Sequence, residues 1–305
     1  MTTETLDLVP VSGALGAEIR GVDPRTADDA TLAEIVDALH EYEVIFFPGV
    51  DLSEDEHLAF ARRLGTCSPF PLSKLRGATE PTFQVITDGP DSKPEADDWH
   101  TDVTWTARPP KYALLHAEVV PARGGDTLWA STTTAYDALS PAMQEFVSGL
   151  HVLHDNESFV AGMYRKNGRN EATDTFAALL REHYPPVVHP LVRTHPDTGR
   201  RALFLGGRFM RQVEELTATE SRALLDFLVQ HVADVRFHCR WRWTHGDLAI
   251  WDERSTNHRS AADHWPQARS IRRIEVDGDR PYFDPDAVAL PRRDANRPVP
   301  ANDFR

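Results

Sequence analysis

The segment Trp99-His100-Thr101-Asp102 puts an imidazole and a carboxylate two residues apart. In an extended strand, residues i and i+2 point to one side, so His100 and Asp102 would stand together and could share a metal ion. A His-x-Asp pair alone is more often a surface hydrogen bond than a ligand pair. Here it has company. His258, in WDERSTNH, follows the apolar run LAIWD, and two histidines with one carboxylate on one face of iron(II) leave three positions open for substrates and O2. Arg269 and Arg273 follow 11 and 15 residues after His258. If 268–276 is a strand, Arg269, Ile271 and Arg273 share a face. Two arginines pointing inward near a metal are costly unless each meets an anion, and the planar guanidinium suits a carboxylate through two parallel hydrogen bonds. The plainer alternative sets both on the solvent face, paired with Asp or Glu.

Such residues need a scaffold. Leu32, Ile35, Val36 and Leu39 recur at helical spacing and predict a helix over 27–43. Ser53 with Glu56 makes a capping box, and Gly65 a stop, for a second helix over 53–65. Further helices are expected at 140–149, 172–183 and 217–233. The compact run 44–49 and the apolar stretches at 112–120, 187–193, 202–205 and 247–251 read as strands. Many short strands with interspersed helices point to a mainly β fold with α insertions, an antiparallel sandwich or jelly roll. The expected organisation is one domain over 1–283 and a loose tail over 284–305, where Pro, Arg and Asp abound without periodicity.

The chain has 305 residues, 41% hydrophobic and 26% charged, with a formal charge of −14. That is globular composition, and the acidity excludes the basic stripe of a nucleic-acid binder. Arg240-Trp241-Arg242-Trp243 is then a strand with one aromatic face rather than a base-stacking surface. No apolar stretch reaches the ~20 residues that cross a bilayer, the N-terminus lacks a signal pattern, and two cysteines, Cys67 and Cys239, make no disulfide framework. A cytoplasmic protein with no membrane partner is expected. His151, His154, His189 and His195 sit among apolar residues and prolines and read as structural.

The chain resembles the taurine dioxygenase / aryloxyalkanoate dioxygenase family from about residue 8 to 283. The resemblance rests on LGAEIRGVD (15–23), EVIFFPG (43–49), WHTDVTW (99–105), GGDTLWAS (124–131), HPLVRTHPDTGRRALF (189–204), RWRW (240–243), DLAIWDERSTNH (247–258) and DGDRPY (277–282). It implies a double-stranded β-helix (cupin-like jelly roll), a dimer or higher homo-oligomer, and a reaction of iron(II), 2-oxoglutarate and O2. That reaction hydroxylates a small anionic substrate and leaves succinate and CO2. It implies that His100, Asp102 and His258 hold iron and that Arg269, helped by Thr127, anchors 2-oxoglutarate. Arg273 matches a residue that holds a substrate sulfonate; Val103, Phe159 and Phe209 match the pocket lining. Where taurine dioxygenase places three polar substrate contacts, this chain has Phe70, Ser73 and Ala96, which argues against taurine and for a larger, more apolar substrate. The alternatives are a biosynthetic dioxygenase acting on an amino-acid or nucleotide-like metabolite, a zinc hydrolase using the same three ligands, and a non-catalytic barrel that only binds.

Overall fold

The computed structural model describes residues 6–94 and 98–292. Strands run over Asp7–Pro10 (β1), Ala17–Arg20 (β2), Val44–Phe47 (β3), Gln84–Asp88 (β4), Tyr112–Val119 (β5), Thr127–Ser131 (β6), His151–His154 (β7), Val187–Pro190 (β8), Val192–Thr194 (β9), Arg201–Leu203 (β10), Met210–Val213 (β11), His238–Trp241 (β12), Leu248–Asp252 (β13), Thr256–Ser260 (β14) and Arg269–Val276 (β15). Helices cover Asp29–Tyr42 (α1), Glu54–Leu64 (α2), Pro71–Leu75 (α3), Thr132–Asp137 (α4), Pro141–Ser148 (α5), Glu157–Asn167 (α6), Glu171–His183 (α7) and Ala218–Val232 (α8).

The main sheet has the order β1-β2-β3-β13-β5-β15-β4, and a three-stranded sheet, β12-β6-β14, provides the second wall of the jelly roll. Side chains alternate across a strand, and here both faces of the central strands β3 and β13 are buried. Val44 and Phe46 of β3, Ala249 and Trp251 of β13, and Ile271 of β15 point inward onto Trp129 of β6 and Trp243. Their neighbours Ile45, Phe47, Leu248, Ile250 and Ile274 point outward beneath α1 and α2, against Ile35, Leu39 and Phe60. Continuous apolar runs in 44–47 and 248–251 are what two covered faces require. The aromatic face read in 240–243 is present: Trp241 stacks on Phe46 with ring centroids 4.1 Å apart.

Helix ends follow local chemistry. Ser53 and Glu56 form the capping box at α2, and Thr217 with Glu220 forms another at α8. Cys67 and Cys239 are both free thiols. No helix among the described residues is long and apolar enough to cross a membrane. Beyond 283, Leu290 N–H donates to Thr198 O at 2.8 Å, and Arg292 donates to Thr133 Oγ1 at 3.0 Å; residues 293–305 lie outside the described residues.

Candidate metal centre

His100 and Asp102 are not in a continuous strand. His100 forms an isolated antiparallel bridge with His258 of β14, its N–H donating to His258 O at 3.2 Å and its carbonyl accepting from the His258 N–H at 2.9 Å. Residues 102–105 then turn. Bridge plus turn still brings the three side chains together. His100 Nε2 and His258 Nε2 each lie 3.5 Å from an oxygen of Asp102, and the imidazole centroids are 4.4 Å apart. One potential ligand atom from each of the three residues lies within 4.8 Å of the others.

The turn is held from a distance. Val103 adopts φ 54°, a left-handed conformation that costs a β-branched residue roughly 1–2 kcal/mol, so something must enforce it. His189 Nε2 donates to the carbonyls of Thr104 (2.9 Å) and Thr106 (3.0 Å), and His154 Nδ1 is 3.0 Å from Thr104 Oγ1. The Thr101 hydroxyl donates to Thr256 O and accepts from Asn257 Nδ2, both at 2.9 Å, which ties the ligand segment to β14. Gly207, at φ 57°, lets the backbone pass so close that a Cβ there would meet Trp99 O at 2.6 Å and His100 Cβ at 2.8 Å. The structural reading of the four histidines therefore gains a purpose at His154 and His189.

Protonation suits a metal. His100 Nδ1 is 2.7 Å from Asp98 O; a carbonyl only accepts, so Nδ1 donates there and Nε2 is the ring nitrogen turned to Asp102. Burial, reinforced by His100, pushes His258 down to about 3, so it is neutral at physiological pH. Burial would raise Asp102, but Arg273 and the two imidazoles outweigh it and hold the carboxyl well below its usual range. Behind this trio lies Glu253, 1% exposed and not anticipated from sequence. It accepts from the Asp102 backbone N–H at 3.0 Å and from Trp251 Nε1 at 2.8 Å, and its Oε1 lies 4.0 Å from His258 Nδ1. Burial, then the charge of Asp102, raises Glu253 well above the ordinary carboxylate range. A neutral His258 imidazole, the Nε2 of His100 and an ionised carboxylate make a donor set that fits a divalent metal with open positions.

The alternation expected on β15 is present. Arg273 is hydrogen-bonded to Asp102 and donates to Gln84 Oε1 at 2.7 Å. Arg272, between them in phase, faces the other way and donates to Glu118 (2.7 Å) and Leu52 O (2.7 Å). Arg269 is 5% exposed, so the solvent-face alternative does not hold, and its Nε donates to Gly125 O at 3.0 Å. A Cβ on Gly125 would lie 3.0 Å from Arg269 Cδ, which accounts for the glycine in GGDT. Two residues on, Thr127 shares the inward face of β6 with Trp129, and its hydroxyl accepts from Trp243 Nε1 at 3.0 Å. Glu275, next on the inward face of β15, sits 3.4 Å from Arg273 Nη2. Burial, with Arg273 opposing and Asp102 adding, pushes it up to about 7.

Val103 and Phe209 are buried in one apolar cluster with Trp105 and Val160, and Phe70 and Phe159 pack against it. Val103, Phe159 and Phe209, matched to the pocket lining, thus converge, with Phe70 beside them. A cleft of about 670 Å³ opens beside Val103, Phe70, Tyr184 and Glu275. Ser73 lies on α3 near this cluster's Leu72; Ala96 lies outside the described residues.

A second cluster, His40, His195 and Asp252, also has ligand spacing. Arg254 already fills it, donating to both oxygens of Asp252 at 2.9 and 2.7 Å. His195 Nδ1 accepts the N–H groups of Asp197 and Thr198, both at 3.2 Å, so its protonated Nε2 donates to Asp252 Oδ2 at 2.9 Å. This is a structural ion network rather than a second metal site.

Comparison with known proteins agrees with the geometry. The family model of taurine catabolism dioxygenase TauD, TfdA family, matches residues 7–274. An alpha-ketoglutarate-dependent sulfate ester dioxygenase of Pseudomonas putida is 37% identical over 285 residues, covering 90% of this chain and 91% of that protein. A taurine dioxygenase from Burkholderia xenovorans superposes with a TM-score of 0.75 at 30% identity, covering 93% of this chain and 95% of that one. The crystal structure of AAD-2 with Mn(II) and N-oxalylglycine superposes with a TM-score of 0.73 at 26% identity, covering 91% and 99%. The chain belongs to the TauD/TfdA family of dioxygenases.

Proposed function

We propose that this chain is an iron(II)- and 2-oxoglutarate-dependent dioxygenase that oxidises a singly charged organic anion with an apolar body, with an alkyl sulfate ester as the first choice. One observation carries the reading: His100, Asp102 and His258 converge within ligand distance, and the Arg273 guanidinium is bonded to that same Asp102. A fixed cation beside a metal site is where an anionic substrate end would dock. The sulfate ester choice draws on the named relative and on the apolar side chains, Phe70, Val103 and Trp105 among them, that share the cleft lining with charged ones.

His100, Asp102 and His258 would hold the iron, which, with 2-oxoglutarate and O2, supplies hydroxylation with succinate and CO2 as co-products. Arg269 would pair with the far carboxylate of 2-oxoglutarate, with the Thr127 hydroxyl as a second donor. Arg273 would hold the substrate anion, while Val103, Phe70, Phe159 and Phe209 enclose its carbon chain and keep water away from the reacting C–H. A hydroxyl placed on the carbon that bears the ester oxygen makes that carbon unstable: its C–O bond to sulfate breaks, the hydroxyl proton leaves, and an aldehyde and free sulfate result. We take the domain to span 1–283 and the protein to be a cytoplasmic homo-oligomer, which size-exclusion chromatography with light scattering checks.

The test is succinate formation with iron(II) and 2-oxoglutarate against alkyl sulfates, sulfonates and aryloxypropionates. Alkyl sulfates of medium chain length should stimulate turnover most, and Arg273→Ala should raise their KM sharply, since losing a buried charged partner costs about 2–5 kcal/mol. Sulfate release without O2 would instead assign the site to hydrolysis.

A further inference from the structure

Glu275 follows Arg273 by two residues on β15, so both side chains face the cavity. Gln84, opposite Arg273 on β4, bridges them. Its Oε1 accepts from Arg273 Nη2 at 2.7 Å, and its Nε2 donates to Glu275 Oε1 at 3.2 Å. Glu275 Oε1 is itself 3.4 Å from Arg273 Nη2, and its side chain is only 12% exposed. Glu275 lines the cleft together with Val103 and Phe70.

We propose that Glu275 is a specificity-determining residue that makes Arg273 select singly charged anions over doubly charged ones, with Gln84 positioning both side chains. The inference rests on Arg273 as the partner of the substrate anion. A sulfate ester and a phosphate monoester are nearly alike in size and shape, so sterics cannot separate them. Charge can. The Arg273 guanidinium already meets the Asp102 carboxylate at Nη1, and Glu275 lies 3.4 Å from its Nη2, so a second negative charge on a ligand adds repulsion that a single charge does not. Asp277 also lines the cleft, as do Lys74 and Arg108. Like charges so close in a partly desolvated site repel strongly. With its carboxyl near 7, Glu275 is mostly ionised at pH 8. Gln84, neutral and able to donate and accept at once, holds the arginine and the acid together without adding charge.

The experiment loads the full chain with Mn(II) and the unreactive 2-oxoglutarate analogue N-oxalylglycine and measures Kd for hexyl sulfate and hexyl phosphate by calorimetry at pH 8. The wild type should favour the sulfate by at least about tenfold. Glu275→Gln, which keeps the shape and the Gln84 contact, should bring the two within about threefold, chiefly by tightening the phosphate. Glu275→Ala serves as the second variant should the first alter the packing. Gln84→Leu should weaken both ligands by a similar factor while the preference remains. Hexyl sulfate bound normally, with an unchanged sulfate-to-phosphate ratio in both Glu275 variants, overturns this inference alone. A wild type that binds neither ester overturns the anion role of Arg273 and this inference with it.

Discussion

Glu253 offers the sharpest test of how the metal centre is held. Its two oxygens accept from two buried donors, the Asp102 backbone N–H at 3.0 Å and the Trp251 indole N–H at 2.8 Å. Glu253→Ala removes both acceptors at a residue 1% exposed, where water cannot simply replace them. Each orphaned buried donor costs about 1–3 kcal/mol, so the variant should lose roughly 2–6 kcal/mol by urea denaturation. The second effect concerns the ligands. Asp102 begins the turn, and its N–H bond to Glu253 fixes the start; Glu253 also packs behind the second ligand, its Oε1 4.0 Å from His258 Nδ1. Removing such support behind a ligand typically weakens metal binding 10–100-fold. Calorimetric titration with Mn(II) at a temperature where the variant stays folded separates the two effects. Loss of stability with unchanged Mn(II) affinity would refute the argument and leave Glu253 a packing residue. Glu253→Gln should recover only part of either loss, because one amide oxygen cannot accept both bonds and its NH2 would oppose a donor.

Arg269→Ala should raise the Kd of 2-oxoglutarate by at least about thirtyfold, the equivalent of 2 kcal/mol, with Mn(II) affinity unchanged in the same titration. Thr127→Val leaves the Trp243 indole N–H without its acceptor and should cost about 1–3 kcal/mol in urea denaturation. Glu275 is raised in the folded protein from 4.5 to about 7, so the native state holds a proton that the unfolded chain releases. Its contribution is full below about 4.5 and is lost as pH rises to about 7, at most about 3 kcal/mol. Glu275→Gln should flatten the stability profile in that window.

What could be read from the sequence was local and periodic. Covered on both faces, β3 and β13 need unbroken apolar runs, and those are visible in 44–47 and 248–251. The caps at Ser53 and Thr217 are a matter of three residues each. Arg269, Ile271 and Arg273 share a face because β15 keeps its period of two; the irregularity between Ser270 and Ile271 falls on the partner strand, where Glu118 is the extra residue. The same alternation extended by one step gives Glu275, which the sequence therefore contained but which composition alone would assign to a solvent face. By contrast, the turn that presents Asp102 has no local signal. It is imposed by His154 and His189, which lie 50 and 85 residues from Thr104, and a left-handed valine is not a conformation that propensity predicts. Glu253 is hidden for the same reason: within WDERST it resembles a polar loop, and only the return of β14 against residues 100–102 encloses it. α4 begins with three threonines, poor helix formers, yet it forms because Ser131 caps it at Thr134 N and its first five residues are buried. The ligands could thus be named from spacing, whereas the residues that aim them act across the chain and become legible only once the two sheets face each other.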